Sequence, residues 1–143
     1  MGIKIEWVGF AEGSALDSRQ AVTLVGFNQV MVAPEEFPHK WQSQVIVVAP
    51  EVEDDSTSGA KAHIAVTIKD PNGEVVASVS NFVNVDRRHK EVPALVIMAV
   101  FVALDMKEAG RYEVEAAARE RPDGPATSTF TQYLYALPAK NAA

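Results

Sequence analysis

Ile64, Val66 and Ile68 alternate with Ala65, Thr67 and Lys69, and beyond the turn Asp70-Pro71-Asn72-Gly73 the rhythm resumes. There Val75, Ala77 and Val79 alternate with Val76, Ser78 and Ser80. A period of two places successive side chains on opposite sides of an extended chain, so two antiparallel strands are expected here. Asn72 and Gly73 take positive φ at little cost and Pro71 fixes its own φ near the value a turn needs, which gives the reversal a mechanism. Further short apolar runs predict strands over residues 3–11, 21–32, 41–49, 62–69, 74–85, 94–104, 111–121 and 127–137. Turn residues punctuate them at 13–18, 34–38, 51–59, 86–93, 105–110 and 122–125. Only 105–109 reads as a helical turn. The alanines Ala116 to Ala118 sit in an alternation led by Tyr112 and Val114, so that segment reads as strand despite its helix-friendly composition.

Two runs break the alternation. Every residue from Ala94 to Leu104 is apolar, between Pro93 and Asp105, and Val45 to Ala49 behaves the same way. The longer run falls short of the roughly 20 residues that span a bilayer as a helix. A strand with one wet face should alternate, so these two are expected to be covered on both faces. Either a loop or the Asp105 region shields their outer side, or that side is a contact surface for another protein. The candidate contact residues are Val45, Val47, Leu95, Ile97, Val100 and Phe101.

The chain has 143 residues, 48% of them hydrophobic, which suits one domain over 1–138 with a fraying tail over 139–143. A formal net charge of -6 repels polyanions on average, arguing against nucleic acid or an anionic membrane as partner. Cysteine is absent, which removes disulfides and thiolate metal sites. No basic segment followed by a long apolar core is visible at the start, and Glu6 stands where a myristoylated Gly2 would want Ser or Thr. The expectation is a cytoplasmic chain that does not enter a membrane.

Few residues suggest chemistry. His39, His63 and His89 lack ligand spacing, so no metal is expected. Glu51, Glu53, Asp54 and Asp55 are oxygen-rich but lack the spacing and turn glycine of a calcium loop, and read as a solvated loop. Ser14 and Ser18 flank Asp17 without a glycine elbow, and no phosphate-cradling glycine loop occurs, so no catalytic residue and no cofactor are expected. The basic cluster around Arg87 and Arg88 offers planar donor forks to an oxyanion. Trp41, Tyr133 and Tyr135 offer rings for stacking on a sugar or peptide.

The order Phe10-Ala11-Glu12, Thr23-Leu24-Val25-Gly26-Phe27, Glu36-Phe37-Pro38, Asp70-Pro71-Asn72-Gly73 and Gly110-Arg111-Tyr112-Glu113-Val114 resembles a group of small bacterial β-sandwich proteins, a domain family of unknown function. The resemblance implies the fold and supplies no catalytic residues. The chain is thus expected to be all-β, an antiparallel, immunoglobulin-like sandwich of about eight strands. The leading functional expectation is a non-enzymatic module acting by protein contact, as a homo-oligomer or a subunit of a larger assembly. The alternative is a small-ligand or carbohydrate-binding module using Trp41, Tyr133 and Tyr135.

Overall fold

The computed structural model describes residues 3–16, 22–26, 29–52, 60–87, 89 and 91–139. It contains β1 (Trp7–Ala11), β2 (Gly13–Leu16), β3 (Val22–Val25), β4 (Met31–Val32), β5 (His39–Pro50), β6 (Ala60–Lys69), β7 (Val75–Val85), β8 (Leu95–Met106), β9 (Gly110–Arg119) and β10 (Ala126–Ala136). Three of them form a sheet in the order β1-β5-β8, five form a second in the order β4-β10-β9-β6-β7, and β2 pairs with β3 as a hairpin. All pairings are antiparallel except the short one between β4 and β10.

The two larger sheets enclose one core because their strands alternate. From the three-stranded sheet come Val8, Phe10, Val45, Val47, Met98 and Leu104; from the five-stranded sheet come Ile64, Val66, Ile68, Tyr112, Val114 and Leu134. Each large apolar side chain withdrawn from water contributes roughly 1.5–3 kcal/mol before the entropy of ordering it is counted. At one end Tyr112, near the start of β9, donates its hydroxyl proton to the Glu108 carbonyl at 2.9 Å. That contact is the tyrosine corner of immunoglobulin-like sandwiches, which pins the turn into the strand it opens.

The hairpin around Asp70 forms as its residues dictate. The Asp70 carboxylate accepts from the amides of Asn72 and Glu74, both at 2.9 Å, and Gly73 takes φ 85. Elsewhere the structure corrects the expectations. Residues 13–16, expected in a turn, are strand β2, and the expected strand 21–32 is divided into β3 and β4 after Gly26, whose φ is 62. Positive φ suits glycine and interrupts a strand. Asp105 and Met106 complete β8 instead of starting a helical turn, because Lys40 and His39 on β5 continue the pairing. Ala116 and Ala118 face the core and Ala117 faces away, as the alternation requires. No helix among the described residues is long and apolar enough to cross a membrane.

Candidate functional site

Register decides which side of β8 is wet. Leu95, Ile97, Ala99, Phe101 and Ala103 pair with Pro50, Val48, Ile46, Gln44 and Gln42 of β5, so all ten share the outer face of the three-stranded sheet. Directly opposed residues in an antiparallel pair point to the same side. On β8 this face is open: Leu95 is 60% exposed, Ile97 36% and Phe101 71%, with Ala99 and Ala103 exposed between and beyond them. The expectation that a loop or the Asp105 region shields the outer side of β8 is therefore corrected. Its burial alternates strictly along most of its length although its chemistry does not.

The same register corrects half of the contact residues named from sequence. Val45 and Val47 are fully buried on the inner face, and Val100 packs against the core from that side. Leu95, Ile97 and Phe101 remain on the open face. On β5 the outward residues include Ile46 and Val48, and here the sheet is covered. The Trp7 indole crosses Gly9 so closely that a Cβ there would lie 2.3 Å from Cζ2, and Ile46, the partner of Gly9, is fully buried. Toward β2, Ser14 donates to the Gln44 side chain at 2.6 Å, drawing the β2–β3 hairpin alongside. The result is an outer face closed on the β1 side and open on β8.

The ligand candidates are dispersed. Trp41 lies on β5, half-buried, with its ring 5.0 Å from that of Phe10 in an edge-to-face contact, beside a shallow hollow lined also by Lys40, Gln42 and Ala103. Tyr133 and Tyr135 lie on the outer face of the other sheet, where the Arg111 guanidinium sits 4.4 Å from the Tyr133 ring centre. One aromatic strip is therefore not formed. Arg87 does not face outward for an anion either. Its Nε donates to both oxygens of Glu51, at 2.7 and 3.0 Å, and the Ala94 amide donates to the same carboxylate at 2.9 Å. Glu51, expected in a solvated loop, has a fully enclosed side chain because this pair ties the β7–β8 connection to the end of β5. Arg88 lies outside the described residues, as do Glu53, Asp54 and Asp55.

The histidines stand apart. His39 opens β5, His89 sits in an isolated bridge to Val92, and His63 lies on β6 with its ring 5.2 Å from Phe82 and its Nδ1 buried without a hydrogen-bond partner. Among the described residues no group of His, Asp and Glu could hold a metal ion.

Sequence reading missed one end of the molecule. The β6–β7 and β8–β9 turns are latched there: a Cβ on Gly110 would lie 2.6 Å from Pro71 Cγ, and Asn72 donates to the Glu108 carboxylate. Below them a cavity of about 310 Å³ is lined by Asp70, Glu74, Asp105, Lys107, Glu108 and Tyr112. Burial raises the Tyr112 hydroxyl above its ordinary 10.0, and the Asp70, Glu108 and Asp105 charges push the same way. The proline and glycine of the two turns were visible, but their meeting across 39 residues of chain was not.

No family model matches the chain, and no curated protein does. Solved structures do. The CARDB domain of a Pyrococcus furiosus protein, crystallised in complex with di-metal ions, superposes with a TM-score of 0.50 at 9% identity, covering 94% of this chain and 87% of that one. A putative β-galactosidase from Bacteroides fragilis gives a TM-score of 0.50 at 14% identity, with 73% of this chain matched to 14% of the enzyme. At such identities the likeness carries the fold. The chain is an immunoglobulin-like β-sandwich.

Proposed function

We propose that this chain is a non-enzymatic interaction module that meets a second copy of itself through the open face of β8. The observation that carries the reading is the charge-free row Leu95, Ile97, Ala99, Phe101 and Ala103, in which large exposed side chains flank small ones. A large apolar residue of one copy can settle over an alanine of the other. Elsewhere two copies, each of net charge -6, repel, so the uncharged face is where they approach at least cost. These five side chains expose on the order of 400 Å² of apolar surface, about half of the ~800 Å² per partner of a standard interface. The association is therefore expected to be weak and concentration-dependent. The sequence resemblance to small β-sandwich proteins without catalytic residues supports a role by contact, and fold alone would not assign one.

Light scattering during size exclusion, over a wide concentration range, tests the reading. Expected is a mass that rises toward the dimer and returns to the monomer in Phe101→Lys, with the unfolding transition retained. A mass that stays monomeric at every concentration, or an assembly indifferent to Phe101→Lys, overturns it.

A further inference from the structure

The five-stranded sheet has two unequal edges. One is β4, two residues long; the other is β7, which runs from Val75 to Val85 and among the described residues is paired only by β6. A strand edge presents backbone N–H and C=O groups to any extended chain, and proteins usually blunt it with lysine, proline or a bulge. β7 has a register shift at its start, where Ala77 pairs with Ile68 and Val75 with Lys69. From Ala77 to Val85 it carries no charge and no proline. Phe82 on this strand is 54% exposed.

The start of this edge opens on the acidic cavity, to whose wall Val75 and Val76 also contribute. Two of its carboxylates are already engaged: Asp70 accepts from the turn amides and Glu108 from Asn72. The Glu74 and Asp105 carboxylates have neither an ion pair nor a side-chain hydrogen bond among the described residues. An unpaired backbone edge thus ends at a cavity where four carboxylates face one lining lysine, Lys107, with Lys40 opposite Asp105 on β5, so its net charge is negative.

We infer that β7 receives an extended segment of a protein partner by strand addition, and that Glu74 and Asp105 receive a lysine or arginine of that segment. Backbone pairing supplies the affinity, and the carboxylates set the end at which the cation lies. A second copy of this chain fits the edge less well. Pairing β7 with itself over its whole length, with Ser80 on the two-fold axis, sets Glu74 opposite Asp86 of the second copy. Like charges directly opposed across strands are destabilising. β7 runs close to β8 along the side of the sandwich, so this edge neighbours the open face of β8, and the two proposals are told apart by their readouts, amide shifts on β7 here and the solution mass there.

The probe is the acetylated, amidated peptide Lys-Val-Ser-Val-Thr-Val-Ser, titrated into the ¹⁵N-labelled protein and followed by amide chemical shifts. Expected are saturable shifts over residues 75–85. Binding should be roughly threefold to fivefold weaker when the lysine is replaced by glutamate, and lost when alternate peptide nitrogens are methylated. The Glu74→Gln/Asp105→Asn double variant should bring the lysine and glutamate peptides to nearly equal affinity, its dispersed spectrum showing that it is folded. The inference is overturned by an absence of saturable shifts on β7 up to millimolar peptide, by binding that survives methylation, or by equal affinity for both peptides in the parent protein. Concentration-dependent β7 shifts that persist in Phe101→Lys would also overturn it, by showing that the edge is filled by a second copy.

Discussion

The two outward faces of the sandwich are built on opposite principles. On the five-stranded sheet Thr67 and Lys69 lie opposite Glu115 and Glu113, and Thr131 and Tyr133 continue the rows. Hydroxyls and mixed charges meet the water there. On the three-stranded sheet the corresponding face of β8 is Leu95, Ile97, Ala99, Phe101 and Ala103. Both faces are on the outside, so apolar composition does not by itself tell which side of a strand is enclosed; register does. A single strand can be apolar on both sides and buried on one.

The largest test of this contrast is a cation on each side of the same sheet. Val47→Lys places an unpaired charge in the core and should cost roughly 4 kcal/mol or more in urea unfolding, to the point of losing the folded state. Enclosed and open carboxylates extend the contrast. Glu51→Ala removes the carboxylate that accepts from Arg87 Nε and from the Ala94 amide, at a site where the Arg87 side chain is only 15% exposed, with an expected loss of about 3 kcal/mol. Asp105→Asn should stay within about 0.5 kcal/mol. A comparable loss for both carboxylates would break the distinction.

Tyr112→Phe removes one hydrogen bond at the corner and should cost about 1 kcal/mol. Because the folded-state pKa of Tyr112 lies above 10.0, the unfolded chain gives up this proton first as the solution becomes alkaline. Stability from this group is complete below pH 10.0 and is lost as pH rises through the folded pKa. Unfolding midpoints measured through that range should fall more steeply in the parent than in Tyr112→Phe. The smallest effect is expected at the open face, where Phe101→Lys should change stability by no more than about 0.5 kcal/mol. If it unfolds the protein as Val47→Lys does, the face is core and the comparison fails.

Local patterns were legible and their juxtapositions were not. The hairpin at Asp70 could be read because its signals lie within a few residues of one another. The facing of β8 had a signal as well: Asp105 at its end marks the odd-numbered positions as outward, and Gln42 and Gln44 mark the even-numbered positions of β5. Carried along the strands, that parity selects Ile97 and Phe101 over Val100, and Ile46 over Val45 and Val47. The Glu51 to Arg87 pair had no such signal, since a glutamate at the end of a strand looks like any solvated loop residue until the β7–β8 connection folds back on it. For the same reason the acidic cavity was invisible: Asp70 and Glu74 come from one turn, Asp105 and Glu108 from another.

The twelve-residue pairing of β5 with β8 also bears on how the chain reaches this state. Those strands are neighbours in space with the whole β6–β7 hairpin between them in sequence, whereas that hairpin closes through a single tight turn. Loop closure costs entropy before the distant pairing returns any enthalpy, and topologies rich in such contacts fold in milliseconds to seconds. The hairpin is thus the natural early structure. Until β8 arrives, the apolar flank of β5 has no partner, and the interval before that docking is when the chain is most exposed to aggregation.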